Sequence, residues 1–300
     1  YLAADGAAIY SSTGVNQSRH GLLVYWLQEA INAITGNLDK RGGVLAGRGV
    51  FPKFNSPSVL PRSRIDNIPY VNSTIPAGIM ADEILTPGKG KVRAMFNMSG
   101  NPLLSCGGSE RLAEAFSALD LFVCIDIVRN ETAEYADYIL PGLHSLERAD
   151  VPFYFFTMMG LMPNRSFDYT DQVILPPAQA RDEGLIFRQL CRFAGRPLAG
   201  SKTFQWLSNG AELLAKIPVI GKLTGLDKIF LGGMIRSANL GSIQAMRKFP
   251  NGRKLSPNKP GDYLGQRVNT PSGKVELAPA DLVARAKSLE QVYAQEIKHK

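Results

Sequence analysis

The chain has 300 residues, 45% of them hydrophobic and 20% charged, and carries a net charge of +8. That length suits one large domain or two ordinary ones. No apolar run reaches the ~18 residues of a membrane span, no basic segment followed by an apolar core marks a secretory leader, and Lys and Arg are spread along the chain without a nucleic-acid motif.

The densest basic stretch, Arg247, Lys248, Arg253, Lys254 and Lys259, sits among Pro, Gly and Asn and reads as a solvated loop. Cys106, Cys124 and Cys191 stand apart with no CxxC pair, so neither an Fe–S cluster nor a structural zinc is encoded within this chain. Unclustered cysteines suit a reducing, cytoplasmic setting. An export signal outside the chain would make it periplasmic.

In chain order, Ala7 to Ser12 reads as a strand, followed by a polar loop to Arg19. His20 to Ile34 reads as a helix with Leu22, Leu23, Trp26, Leu27, Ala30, Ile31 and Ile34 on a broad apolar face, stopped by Gly36 and Asn37. From residue 40 to 87 Gly, Pro, Asn and Ser dominate; so long an irregular stretch reads as an excursion over a cleft or as a surface insertion. Lys91 to Met98 resumes as a strand. Ser109 is placed to cap a helix whose stripe is Leu112, Ala115, Phe116 and Leu119. Leu121 to Ile125 is a continuous apolar strand, as a sheet covered on both faces requires. A short helix at Glu131 to Tyr135 leads to a brief strand at Tyr138 to Leu140.

Asp182 opens another helix, with Ile186, Leu190 and Phe193 inward and Gly195 and Pro197 as its stop. Phe204 to Lys216 reads as helical, and Ile217 to Ile243 as loop-and-helix packing. Val268 to Leu277 reads as a hairpin around Pro-Ser-Gly. Strands separated by helices predict an α/β fold: a Rossmann-like, doubly wound, mainly parallel sheet with helices on both faces, plus the start of a β-rich domain. The expected organisation is an α/β dinucleotide-cofactor-binding domain at 1–200, a helical or irregular connection at 201–262, and the start of a β-rich C-terminal domain with a tail at 263–300.

Four segments follow β-prone runs and share one composition: Ser12 to Gln17, Ser99 to Pro102, Ile125 to Thr132, and Leu140 to Arg148. In an open α/β sheet the loops at the carboxyl ends of the strands lie side by side and hold the ligand. Gly14 and Gly100 let backbone approach it closely. Helix N-termini near His20 and Ser109 can face phosphate. Gln17 and Asn101 offer both donors and acceptors to a heterocycle edge. Asp126 can accept from ribose hydroxyls or a guanine-type edge, and Arg148 can pair with phosphate bidentately. Asx turns account for any single position among these better than for all of them together. His20, His144 and His299 lack metal-ligand spacing, and neither GxSxG nor GxxxxGK[ST] occurs. No catalytic residue and no metal ligand is named.

Thr-Gly-Val-Asn-Gln-Ser-Arg-His-Gly (Thr13 to Gly21), Ile-Thr-Gly-Asn-Leu (Ile34 to Leu38), Arg-Gly-Gly (Arg41 to Gly43) and Gly-Asn-Pro-Leu-Leu-Ser (Gly100 to Ser105) occur in that order. Glu-Thr-Ala-Glu-Tyr-Ala-Asp-Tyr-Ile-Leu-Pro (Glu131 to Pro141), Pro-Pro-Ala-Gln-Ala-Arg-Asp-Glu (Pro176 to Glu183) and Thr-Pro-Ser-Gly-Lys-Val-Glu-Leu (Thr270 to Leu277) complete the series. In this order and spacing the chain resembles the molybdopterin oxidoreductases of the dimethyl sulfoxide reductase superfamily. The resemblance covers most of the chain to about Gly200 and the segment near Val268.

The resemblance implies a fragment: the third domain, whose loops grip one guanine dinucleotide of a molybdenum or tungsten bis-pterin cofactor, and the start of the last domain. It implies that Thr13 and Gln17 touch the pterin cofactor from the first loop, with Gly100 and Asn101 contributing from the Gly-Asn-Pro loop. Asp126 would reach it from the following strand end, and Arg148 and Asp182 would complete the nucleotide pocket. A 4Fe–4S cluster would belong to the full-length protein, unligated by this chain. The remainder of the polypeptide and electron-transfer subunits would be partners. The residue donated to the metal lies outside these matches, so the chain is not expected to be active alone. One departure is the apolar, aromatic run Asp150 to Gly160, where many members carry a Gly-rich run and Asn. On the residues, two other readings stay open: a cofactor-free structural subunit of the same fold in a redox complex, and an unrelated nucleotide-binding α/β domain.

Overall fold

The computed structural model describes residues 1–50, 61–70, 74–151, 165–197, 200–215 and 226–298. Parts of the 40–87 stretch, of Asp150 to Gly160 and of Ile217 to Ile243 lie outside the described residues. The chain divides into two compact units. Unit 1 is Tyr1–Phe51, Phe153–Phe167 and Arg253–Lys300; unit 2 is Pro52–Pro152 and Asp168–Gly252.

Helices α1 (Thr13–Asn16), α2 (Gly21–Ile34) and α3 (Met80–Leu85) precede strand β1 (Ala94–Met98). Helices α4 (Pro102–Ser105) and α5 (Ser109–Ser117) lead to β2 (Leu121–Asp126), and a 3-10 turn over Glu131–Tyr135 leads to β3 (Tyr138–Pro141). After β4 (Ser166–Phe167) come α6 (Glu183–Phe193), α7 (Lys202–Ala215), α8 (Leu226–Ser237) and α9 (Ile243–Met246). Strand β5 (Arg253–Lys254) and helices α10 (Ala280–Lys287) and α11 (Leu289–Lys298) complete the described elements.

Unit 2 is the α/β part, a parallel sheet ordered β1-β2-β3 with helices on both faces. β2 is central, and its alternation assigns its side chains. Phe122 and Cys124 join Leu112, Ala115 and Phe116 of α5 and Ala81 and Ile84 of α3 in one buried cluster. Val123 and Ile125 pack on the other face against Ile186 of α6. An apolar run without polar alternation is what a strand covered on both sides needs. The Phe116 and Phe122 rings lie 4.9 Å apart. The strands expected at Lys91 to Met98, Leu121 to Ile125 and Tyr138 to Leu140 and the Glu131–Tyr135 turn are present, and Asp182 caps α6 by accepting the Leu185 N–H at 3.3 Å. The cap of α5 is Gly108, at φ 80°, with Ser109 as the first helical residue.

Helix α3 falls inside the stretch that reads as irregular. Six residues between Pro76 and Pro87 give too short a stripe to register, yet Ile84 is 1% exposed. Its buried Glu83 also anchors the neighbouring loop. Glu83 accepts the Ile65 N–H at 3.0 Å and pairs with Arg64 at 3.3 Å, while Arg64 reaches the Thr86 carbonyl at 3.0 Å.

Unit 1 is held differently. Ala7–Ser12 forms no ladder; its hydrogen-bonding capacity goes to side chains of α2 and the turn after it. Ser11 donates to Gln28, the Tyr25 hydroxyl donates to the Ser11 carbonyl at 2.9 Å, and the Ala7 N–H donates to Asn37 Oδ1 at 3.1 Å. Consequently α2 buries Gln28 and Asn32 with Gly21 and Leu23, while Leu22, Leu27, Ile31 and Ile34 of the expected apolar face are exposed. Asp39, at φ 59°, accepts the N–H groups of Tyr263 and Leu264 at 3.1 and 2.9 Å. Arg165 donates to the carbonyls of Arg48, Gly49 and Ser256, and Arg267 to those of Ala46, Gly47 and Asp262. Burial, and then Arg48 and Arg267 nearby, pull the Arg165 guanidinium below its usual value.

The segment expected as a hairpin, Val268 to Leu277, makes its turn, with the Gly273 N–H on the Thr270 carbonyl at 3.0 Å, but carries no strand. The Trp26 indole N–H instead takes the Leu277 carbonyl at 2.9 Å, and α10 packs on α2.

Two outcomes follow for unit 2. Phe116→Ala removes a ring from the centre of the larger cluster and should cost about 3–5 kcal/mol of stability in urea unfolding. Tyr169 donates to Asp171 at 2.8 Å, and Arg247 grips both oxygens of that carboxylate at 2.7 Å. Burial, followed by Asp171, pushes the Tyr169 phenol from 10.0 to about 12. The folded state thus holds a proton that the unfolded chain releases, so this stabilisation is complete below pH 10 and is lost as pH rises towards about 12. Alkaline difference absorbance should find one late-ionising tyrosine, absent in Tyr169→Phe and earlier in Asp171→Asn.

Candidate functional site

The carboxyl edge of the unit 2 sheet gathers five of the seven residues singled out from the sequence: Gly100, Asn101, Asp126, Arg148 and Asp182. β1 turns at Ser99, which adopts φ 51° and donates its N–H to the Ile125 carbonyl at 3.0 Å. The Gly100 carbonyl then accepts two amides, from Asn97 at 2.8 Å and from Asn130 at 3.2 Å. Asn130 also donates to Asp126 Oδ2 at 3.2 Å, and its own oxygen accepts the Ala133 N–H at 3.1 Å. Asp126 Oδ1 takes the N–H groups of Ile127 and Val128 at 2.7 and 3.2 Å. Asp126 thus closes an Asx turn while keeping one oxygen at the sheet edge.

Asn101 ties the first loop to the second. Its amide donates to Glu131 at 2.6 Å and its oxygen accepts the Thr132 hydroxyl at 2.7 Å. The same Thr132 oxygen accepts the Leu103 N–H at 3.1 Å, with Thr132 fully buried. A hydrogen bond from its own backbone, with Asn101 second, holds the Glu131 carboxyl below the usual range. Cys124 lies beneath, 3.8 Å from the Asn97 amide, and burial raises its thiol above the ordinary value. It stays protonated at neutral pH and supplies no thiolate.

After β3, the Gly142 N–H meets the Asp126 carbonyl at 3.1 Å. A Cβ at Gly142 would stand 3.3 Å from Glu183 Oε1, so glycine admits that carboxylate to the edge. His144 caps the next turn, its Nδ1 accepting the Leu146 N–H at 3.2 Å while its own N–H donates to Glu147 at 2.9 Å. Arg148 donates to Glu183 at 2.6 Å and lies 3.7 Å from Asp182. Its Nε is buried with no partner among the described residues. One guanidinium faces two carboxylates here, so the charge expected to meet phosphate is already balanced.

Thr13 and Gln17 belong to unit 1. Both are exposed, in and just after α1, with the Gln17 N–H on the Thr13 carbonyl at 3.0 Å and open space beside Gly14. No group of three or more His, Cys, Asp or Glu suited to a metal ion occurs among the described residues.

Asn97, Asn130, Thr132 and Glu183 were not singled out by sequence. Asn97 carries a signal, a polar residue inside an apolar strand whose burial demands a partner. Asn130 carries another, as an N-cap ahead of Glu-Thr. Nothing local marks Glu183 as the partner of a residue 35 positions earlier.

A family model described as molybdopterin oxidoreductase matches residues 2–193. Trimethylamine-N-oxide reductase of Haemophilus influenzae is 24% identical over 311 residues, covering 92% of this chain and 36% of that protein. Trimethylamine-N-oxide reductase 1 of Escherichia coli K12 is 28% identical over 240 residues, covering 69% and 27%. The thiosulfate reductase molybdopterin-containing subunit PhsA of Salmonella typhimurium is 27% identical over 284 residues, covering 84% and 35%. The chain therefore spans about a third of the length of these curated relatives. Acetylene hydratase from Pelobacter acetylenicus superposes with a TM-score of 0.50 at 23% identity, over 71% of this chain and 25% of that one, a likeness of fold.

Replacing Thr132 by Val keeps its shape but strips the Leu103 N–H and Asn101 Oδ1 of their shared partner. The expected loss is about 1–3 kcal/mol in urea unfolding, with Thr132→Ser close to the parent.

Proposed function

The chain belongs to the molybdopterin oxidoreductase family, and from that premise we propose that it is the cofactor-gripping part of a molybdenum or tungsten enzyme of the bis-pterin class. Its proposed ligand is one guanine dinucleotide arm, held at the carboxyl edge of the unit 2 sheet. The observation that carries this reading is the buried Nε of Arg148 at that edge, which has no partner among the described residues, beside acceptors with capacity left over. Asp126 Oδ2 accepts one hydrogen bond, and the Asn101 amide donates one and accepts one. Each can still engage a ligand. The residues fit such a group.

Asp126 would accept the N–H donors of a guanine edge or ribose hydroxyls, and Asn101 would read an adjacent donor–acceptor pair. Gly100 gives backbone approach beside them. Because Arg148 is balanced by Glu183 and Asp182, this trio would serve best by orienting carboxylate oxygens towards hydroxyl or N–H groups, with phosphate left to backbone N–H groups. Thr13 and Gln17 would contact the pterin end. The bound metal supplies two-electron redox chemistry, and this chain supplies binding and orientation. The relatives named for reducing trimethylamine N-oxide and thiosulfate favour oxo-transfer or related reduction over formate-dehydrogenase-like chemistry. The metal's protein ligand, any 4Fe–4S cluster and the electron-transfer subunits are assigned to other polypeptide.

The test uses the full-length protein. Asp126→Ala should lower the guanosine monophosphate released by mild acid, per polypeptide, by roughly tenfold when loading is limited by affinity. Arg148→Met should lower it too, both with unchanged circular dichroism. Parent-level nucleotide in both variants, or folded parent protein that carries no pterin, would overturn the reading.

A further inference from the structure

Asp126 ends β2 at the sheet edge, half-buried, and most of its hydrogen-bonding capacity is already spent. A carboxylate offers about four acceptor positions, two on each oxygen. Oδ1 spends both of its own on the N–H groups of Ile127 and Val128, at 2.7 and 3.2 Å. Oδ2 takes the Asn130 amide at 3.2 Å. One acceptor position is therefore left for a ligand, and it is on Oδ2. Asn130 is held as firmly. Its amide nitrogen also donates to the Gly100 carbonyl at 3.2 Å, and its oxygen accepts the Ala133 N–H at 3.1 Å. Turning the amide over would set its oxygen against two acceptors and its nitrogen against a donor, so Asn130 faces Asp126 as a donor only.

Asp126 is the side chain that meets a ligand here, but Asn130 fixes what it offers. Purines differ at this point of contact: the N1 position of guanine carries an N–H donor, whereas N1 of adenine is an acceptor. Two acceptors set face to face forgo their hydrogen bond and stay desolvated, which separates ligands more sharply than a lost apolar contact. We propose that Asn130 is a specificity-determining residue of this edge: by donating to Asp126 Oδ2 it leaves one acceptor turned to the ligand, so that the site takes a base edge with an N–H donor, as in guanine, and rejects one with an acceptor there, as in adenine. The inference rests on the reading of this edge as a nucleotide site. Asn130 acts through Asp126 and is a positioning residue.

The experiment titrates the full-length protein, made in cells that cannot synthesise pterin, with guanosine and adenosine monophosphate by calorimetry. The parent should favour the guanine nucleotide by about tenfold or more. Asn130→Ala, with circular dichroism unchanged, should lose most of that preference, because Asp126 Oδ2 is no longer held. Asp126→Asn combined with Asn130→Asp keeps the Asx turn and the bond between the two side chains but reverses the polarity of that bond, so that an N–H faces the ligand. This double variant should bind adenosine monophosphate the more tightly, an inversion that a residue serving stability alone would not produce. Guanine affinity lost in Asp126→Ala, with parental selectivity in Asn130→Ala, would overturn the role of Asn130 and leave the cofactor reading standing. A folded double variant that keeps the guanine preference would do the same. A parent that binds both nucleotides alike, or Asp126→Ala that binds the guanine nucleotide as the parent does, would overturn both.

Discussion

The Gly100 carbonyl, held by the amides of Asn97 and Asn130, is the joint on which the polar edge of unit 2 depends. A parallel sheet ends by releasing backbone groups that no neighbouring strand can satisfy, and burying them unpaired is costly. Here asparagines do that work. Asn130 reaches Gly100 and Asp126 from one side chain, so the loops after β1 and β2 cannot shift independently. Asp126 is fixed in turn, and Thr132 binds Asn101 from below. An edge organised this way presents its remaining donors and acceptors without rearranging, which is what recognition of a polar heterocycle asks of a scaffold.

The two units solve the problem of cohesion by different means. Unit 2 buries Phe116, Phe122, Ile84, Leu112 and Ile125 to 2% exposure or less. Among the described residues, the buried apolar side chains of unit 1 are Leu23 and Phe167, against the buried polar Gln28, Asn32, Asn37 and Asp39. Its segments are joined by arginine-to-carbonyl and carboxylate-to-amide bonds, each contributing about 0.5–1.5 kcal/mol or somewhat more where charged. The pulled-down guanidinium of Arg165 reflects that arrangement, since it leans on carbonyl oxygens beside two other arginines.

This difference decides what the sequence discloses. Leu121 to Ile125 is readable as a buried strand because hydrophobic burial leaves an uninterrupted run, and Asp182 is readable as a cap because its role is local. The α2 stripe misleads for the converse reason. Leu22, Leu27, Ile31 and Ile34 look like a core face, but which face is buried depends on Ser11 and Tyr1 meeting Gln28 and Asn32, and no periodicity encodes that. At the sheet edge, Asp126 and Asn101 stand out as isolated polar residues after apolar strands. Asp126 is oriented by neighbours within four positions, but the ties of Asn101 and the Arg148–Glu183 pair join residues 30 to 35 positions apart and leave no local trace.

The bond from the Tyr263 N–H to Asp39 spans 224 positions, and that distance sets an order of events during synthesis. At about 5–20 residues per second, some 10–45 s separate the two residues as they leave the ribosome. The sheet of unit 2 closes through contacts much nearer in sequence and can form within that interval. The first segment of unit 1 must wait, with α2 already made but the Trp26 indole and Asp39 still without their late partners. Until then the Asp39 carboxylate, buried in the finished protein, stands in water without the two N–H groups that hold it, so the polar joint of unit 1 closes last.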